Sequence, residues 1–155
     1  MVSKRAAYEA FIEALKGISG SPYWTNLEGR VYTRYVEPTA EMTKPYVCAP
    51  LVLEEEEANI EETHAEPRWS VRVTFFCEDN IDSDPLNTSA VGPCCDWSDD
   101  IKAMVMRDPY LGHTVTDLSL GRINTLAGGD DLDYAEVSVE VEFMQLAGEN
   151  DLGQA

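Results

Sequence analysis

The stretch AEVSVEVEF, residues 135–143, constrains the fold of this chain more than any other segment. Every second residue is apolar, namely Ala135, Val137, Val139, Val141 and Phe143. The positions between them are polar and mostly acidic, namely Glu136, Ser138, Glu140 and Glu142. Because successive side chains of a strand point to opposite faces, the pattern predicts a strand that buries one face and exposes an acidic one.

Two segments have the spacing of amphipathic helices. In residues 4–17 the apolar residues recur at intervals of three and four, namely Tyr8, Phe11, Ile12 and Leu15. In residues 94–106 one face carries Cys94, Trp97, Ile101, Met104 and Val105. The acids Asp96, Asp99 and Asp100 are expected near the start of the second helix, where the helix dipole stabilises anions.

Four further segments, 29–38, 44–54, 68–79 and 115–126, are predicted to be strands. Two prolines in 44–54 indicate an edge strand or a kinked one. The resulting order is α-β-β-β-α-β-β. It predicts an α+β sandwich, a mostly antiparallel β-sheet flanked by two α-helices. We expect a single domain over 1–147, with an acidic loop or arm at about 54–67, and a flexible tail at 148–155.

Turn residues are expected at two joints of this fold. In DPYLGHTV, residues 108–115, Pro109 stops the second helix and Gly112 permits the chain to reverse. His113 is then expected at the start of the next strand. Gly128 and Gly129 predict the turn before the last strand.

The charge limits the partners of the chain. It has 29 acidic and 11 basic residues, a formal net charge of -18. Such a surface repels nucleic-acid phosphates and anionic membranes. Arginine outnumbers lysine, seven to four, which fits either a salt-adapted protein or an ordinary acidic one. Without an export signal or a membrane-length apolar run, we expect a cytoplasmic origin.

The residue types that carry chemistry are sparse. Cys94 and His113 are candidates for a nucleophile and a base, but nothing in the sequence links them. The pair Cys94–Cys95 lacks the spacing of a zinc site, so buried free thiols are expected. Residues 80–85 resemble the start of a calcium loop but have Pro85 where glycine is required. We therefore expect no enzyme activity, no cofactor and no metal.

The order of the elements resembles the tail terminator family of long-tailed bacterial and archaeal viruses, and the related minor tail and tail-completion proteins. The segments that carry the resemblance are AAYEAFIEALKGI, SPYW, KPYVCAPLVLE, WSVRVTFF, DPYLGHTV and AEVSVEVEF, and together they span about residues 4–146. The resemblance implies a homo-hexameric ring in the tail–neck region of the virion, assembled in the host cytoplasm.

In that family the ring caps the tail tube, ends its growth and joins the tail to the head-side connector, while DNA passes without adhering. The acid-rich segment 54–67 departs from the family's usual hairpin, and it is either a solvated loop or an arm that contacts a partner. Candidate subunit or partner contacts are Glu54, Glu55, Glu56, Glu57, Glu61, Glu62, Glu136, Glu140 and Glu142.

Other functions also fit the sequence. A head–tail connector or other neck protein shares the implied fold. A small acidic enzyme or metal-binding domain would use Cys94, Cys95 and His113. A module that binds a basic partner is a further alternative. A six-fold mass favours the ring, and a monomer with bound zinc favours the metal-binding domain.

Overall fold

The computed structural model describes residues 3–39, 41–52, 68–80, 86–126 and 133–145. Within them the chain forms two helices and one seven-stranded sheet. The helices are α1 (Lys4–Lys16) and α2 (Val91–Arg107). The strands are β1 (Val31–Tyr32), β2 (Tyr46–Cys48), β3 (Leu51–Val52), β4 (Arg68–Glu78), β5 (Asp117–Leu120), β6 (Asn124–Leu126) and β7 (Tyr134–Met144). Among these residues, neither helix is long and apolar enough to cross a membrane.

Helix α1 begins and ends where the sequence predicts. The Ser3 hydroxyl accepts a hydrogen bond from the Ala6 N–H at 3.1 Å and caps the first turn. The Gly17 N–H closes the last turn on the carbonyls of Glu13 and Ala14. The predicted apolar face is buried at Phe11, Ile12 and Leu15.

Helix α2 begins three residues before its predicted start, at Val91. Pro93 is tolerated there because the first N–H groups of a helix have no intrahelical partner. The expectation that Asp96, Asp99 and Asp100 mark the helix start is therefore wrong, since its first turn contains no acid. These three residues lie one to two turns further along.

The centre of the sheet is a long antiparallel pair. Strands β4 and β7 stay in register from Arg68↔Met144 to Glu78↔Tyr134. β2 and β3 pair with the other side of β4, and β5 and β6 pair with the other side of β7. β1 pairs with β2. The two long strands with the clearest alternation thus form the frame of the fold.

The predicted mostly antiparallel sheet in the order α-β-β-β-α-β-β is wrong in two respects. First, β1 pairs with β2 in parallel, so the sheet is mixed. The 13-residue connection 33–45 is long enough for the crossover that a parallel pair requires. Second, two predicted strands are each split, which gives the order α-β-β-β-β-α-β-β-β.

Each split has a local cause. Segment 44–54 is interrupted between β2 and β3 at Pro50, which has no N–H to give to the ladder. Its carbonyl still accepts from the Arg72 N–H at 3.3 Å. β2 lies between β1 and β4, whereas β3, which follows Pro50, pairs within the described residues with β4 alone, so the segment is both kinked at the proline and at an edge of the sheet after it. Segment 115–126 is interrupted at Gly121, where an added Cβ would lie 3.0 Å from the Glu140 carbonyl oxygen.

Both helices pack on the same face of the sheet. The Phe11 ring of α1 meets Phe143 edge to face at 5.0 Å. The Trp97 ring of α2 stacks on Phe75 at 4.9 Å. Phe75 and Phe143 belong to the alternating apolar rows of β4 and β7, which form the main core. The opposite face of the sheet is covered by neither helix.

Candidate interaction surface

The face of the sheet opposite the helices, here called the outer face, carries the predicted acidic row of β7. Glu140 and Glu142 are exposed there, and Glu136 is half-buried. Their cross-strand partners on β4 are Arg72, Ser70 and Phe76, in that order. The Arg68 guanidinium lies 3.6 Å from the Glu142 carboxylate, and both side chains are about half exposed. Exposed pairs of this kind contribute little to stability, so this pair does not prevent the Glu142 carboxylate from binding a partner.

One end of the outer face is closed by a second, smaller core that the sequence did not predict. It contains Tyr46, Cys48 and Phe76, all fully buried. Tyr46 stacks on Phe76 at 5.0 Å, and its hydroxyl donates to the Val36 carbonyl at 2.9 Å. Burial raises the pKa of the Tyr46 hydroxyl. The chain between β1 and β2 supplies Val36, so that crossover covers this end of the face.

Tyr35 links this small core to the acidic row. Its ring lies 6.1 Å from that of Phe76, while 57% of the residue remains exposed. Its pKa is raised first by partial burial and next by the charge of Glu136. The exposed ring of Tyr35 therefore lies at the edge of the outer face, where the Glu136 charge influences it.

A second candidate surface is built around Trp24. This indole is 76% exposed, although its backbone is firmly held. The buried carboxylate of Asp100 accepts hydrogen bonds from the Trp24 N–H at 3.1 Å and from the Thr25 N–H at 2.7 Å. Arg107 lies over the neighbouring Tyr23 ring at 4.9 Å. Helix α2 thus positions a loop that presents a large apolar side chain to solvent.

Trp24 forms one wall of a cleft of about 370 Å³. The other walls come from the end of β4, the start of α2 and the residues before β2. The lining includes Lys44, Pro45, Phe75, Cys77 and Pro93. One local feature pointed to this surface, a tryptophan among turn formers in SPYW. No local feature pointed to Asp100, which is more than seventy residues away in the chain.

A groove of about 440 Å³ lies between α2 and β6. Its lining includes Val91, Cys94, Cys95 and Thr125. Val91 is 56% exposed, and Leu126 on β6 is 46% exposed. Within the described residues, β6 pairs with β7 alone, so its outer edge offers unpaired backbone groups. The outer edge of β1 is likewise unpaired among these residues, at the opposite side of the sheet.

The predicted joint after α2 is a left-handed turn. The helix ends at Arg107 with Asp108 as its C-cap, and Pro109 follows. Leu111, Gly112 and His113 all have positive φ, of 44°, 63° and 67°. His113 therefore lies in the turn and not at the start of a strand, since β5 begins at Asp117. The side chain of Asp108 accepts from the Gly112 N–H at 3.1 Å.

Several predicted residues lie outside the described part of the chain. They are Glu54, Glu55, Glu56, Glu57, Glu61, Glu62, Gly128 and Gly129. The same holds for most of the calcium-like segment and for the tail 148–155.

The candidate catalytic residues are not brought together. Cys94 lies near the start of α2, and His113 follows the other end of that helix. The helical residues between Cys94 and Arg107 alone span roughly 20 Å. The Cys94 sulfur instead contacts that of Cys77, at 3.9 Å. Among the described residues, His, Cys, Asp and Glu side chains form no group of three that could hold a metal ion.

Neither known protein families nor curated proteins give a match to this sequence.

Proposed function

We propose that this chain is a structural subunit that assembles head to tail into a closed hexameric ring in a viral tail. The ring caps the tail tube, ends its growth and joins it to the head-side connector. One observation carries the proposal: among the residues that the structure describes, the single sheet has two unpaired edges on opposite sides and an acidic face that neither helix covers. The arrangement provides contact surfaces for neighbouring subunits.

A ring requires two different complementary surfaces on each subunit. The edge at β6 and the edge at β1 are different in character. The β6 edge adjoins the groove with the exposed apolar side chains of Val91 and Leu126. The β1 edge adjoins the aromatic cluster, with Tyr35 exposed beside it. A neighbouring subunit that covers these edges would also protect their backbone groups from uncontrolled pairing.

The acidic face suits a channel through which DNA passes. Glu140 and Glu142 are exposed on it, and the chain as a whole carries a net charge of -18. Carboxylates repel phosphates, so DNA would move past such a wall without adhering. In this arrangement the outer face lines the lumen, while the Trp24 cleft and the groove serve contacts between proteins.

The proposal is tested by assembly of the purified chain with tail tube protein. Electron microscopy should show rings, and adding them to growing tubes should stop elongation. Val91→Asp and Leu126→Asp should abolish ring formation while circular dichroism stays unchanged, because both residues are exposed. The matched control is Met106→Asp, which changes an 81% exposed apolar residue at the other end of α2.

Two outcomes count against the proposal. If the double variant still forms rings, the β6 edge is not a subunit contact. If rings form but bind connector protein and leave tube growth unaffected, the chain is a neck protein of another kind.

Replacement of Glu136, Glu140 and Glu142 by Gln should leave rings intact and increase DNA retention within them. Glu9→Gln, Glu13→Gln and Glu41→Gln together are the charge-matched control, because they also replace three glutamates, all of them exposed.

A further inference from the structure

Two buried thiols lie close together at a point that the proposed function does not use. Cys77 is near the end of β4, and Cys94 is near the start of α2. Their sulfurs are 3.9 Å apart, and the two residues are only 3% and 5% exposed. A disulfide bond is about 2.05 Å long, so the sulfurs must approach by roughly 2 Å to form one.

The chain between the two cysteines is already held in a closed form. The Asp79 carboxylate accepts from the Ser89 N–H at 3.0 Å. The Ser89 hydroxyl in turn accepts from the Asn80 N–H at 2.9 Å. These contacts join the two ends of the connection from β4 to α2. The two thiols are therefore held together before any bond forms, and much of the loop-closure cost of a cross-link has been met.

The two thiols differ in reactivity and access. The contact with the Cys77 thiol lowers the pKa of the Cys94 thiol, against the effects of burial and of Asp79. The same contact, followed by burial, raises the pKa of Cys77. Cys94 is also one of the residues that line the groove beside α2, although only 5% of it is exposed. Cys94 is thus the attacking thiol and Cys77 the second one.

We propose that Cys77 and Cys94 form a reversible intramolecular disulfide, with a small-molecule disulfide as the oxidant. The Cys94 thiolate attacks one sulfur of the reagent, the S–S bond of the reagent breaks, and its first thiolate leaves. Cys77 then loses its proton and attacks the Cys94 sulfur, which expels the second thiolate. The two protons of the protein thiols end on the two released thiols. The protein loses two electrons and the reagent gains them.

The bond would fasten the first turns of α2 to the end of β4. Val91, one turn before Cys94, lies in the same groove wall. Oxidation would therefore make this wall of the groove more rigid. The proposal stands independently of ring assembly, because both cysteines belong to one subunit.

The test uses the full chain with Cys95→Ser, which removes the exposed thiol and leaves Cys48, Cys77 and Cys94. After incubation with oxidised glutathione, the free thiols counted in urea should fall from three to one. The mass should decrease by two hydrogens, and peptide mapping should join Cys77 to Cys94. The Tm should rise by about 5 °C or more, and dithiothreitol should reverse the change.

Matched variants keep the test decisive. Cys48→Ser removes a buried thiol whose sulfur accepts from the Val36 N–H, and it should leave the disulfide intact. Cys77→Ala should instead stop the reaction at a glutathione adduct on Cys94. The proposal is overturned if the folded Cys95→Ser chain keeps all three thiols, or if a stable glutathione adduct forms while Cys77 is present.

Discussion

Replacement of Asp100 tests how α2 holds the Trp24 loop, because the Asp100 carboxylate joins the two. It is 2% exposed and accepts from two backbone N–H groups, those of Trp24 and Thr25. Asp100→Ala leaves both donors without this acceptor. Thr25 is itself 7% exposed, so water cannot readily replace the lost partner. The Trp24 N–H lies in a more open position and can be hydrated.

The expected magnitude follows from this difference. A hydrogen bond to a charged acceptor contributes roughly 1.5–3 kcal/mol, and an orphaned buried donor costs a similar amount. Loss of the hydrogen bond to the Thr25 N–H should therefore cost almost this full amount, and loss of the hydrogen bond to the Trp24 N–H only part of it. Asp100→Ala also removes the cost of burying a carboxylate, which offsets part of the lost stability. Asp100→Ala should therefore lower the free energy of unfolding by about 3 kcal/mol, and Asp100→Asn by about 1–2 kcal/mol, since one amide oxygen remains.

Urea unfolding followed by tryptophan fluorescence measures both variants. The midpoint should fall by about 1–2 M for Asp100→Ala if the slope is about 2 kcal/mol/M. Asp99→Ala, which changes the exposed neighbour on the same helix, should stay within about 0.5 kcal/mol of the natural chain. The reasoning is refuted if Asp100→Ala and Asp99→Ala have the same stability, or if Asp100→Asn is the less stable Asp100 variant.

Two further predictions concern the left-handed turn and the small aromatic core. His113 is exposed with a φ of 67°, so His113→Gly should raise the free energy of unfolding by about 0.5–1 kcal/mol, whereas Gly112→Ala, at a φ of 63°, should lower it by about 1 kcal/mol. Equal effects of the two changes in chemical denaturation would contradict the strain argument. Burial raises the pKa of Tyr46 in the folded chain above its value of about 10 in the unfolded chain. The protonated Tyr46 hydroxyl therefore contributes its full stabilisation below about pH 10, and this contribution is lost as the pH rises through the pKa of the folded chain. Thermal melts should show the natural chain losing stability above pH 10 more steeply than Tyr46→Phe, and parallel pH profiles would count against this account.

The sequence predicted the frame of the fold because local pattern and burial agree there. The alternation in residues 135–143 matches the buried apolar row of β7, and the same holds for Trp69, Val71 and Val73 on β4. Phe76 departs from the pattern, since it is buried on the outer face. Its cover comes from the crossover between β1 and β2, which no local periodicity signals. The parallel pairing of β1 depends on the path of that same crossover.

The surfaces were less predictable than the frame because distant residues build them. The acidic row of β7 follows from alternation alone. The position of Trp24 depends on Asp100, and the pairing of Cys77 with Cys94 depends on how β4 meets α2. A sequence motif involves residues that are close along the chain, whereas these contacts join residues that are brought together only by the tertiary structure. The aspartates of α2 show this most clearly, because Asp100 was expected at the helix start and instead holds a loop.

The most direct test of the central claim is the mass of the assembled chain in solution. One subunit has a mass of 17.2 kDa, so a hexameric ring has six times that value, about 103 kDa. Sedimentation equilibrium at neutral pH should give this mass, and the Val91→Asp, Leu126→Asp double variant should sediment as a folded monomer. A natural chain that remains at 17.2 kDa at every concentration, with or without tail tube protein, would contradict the proposal.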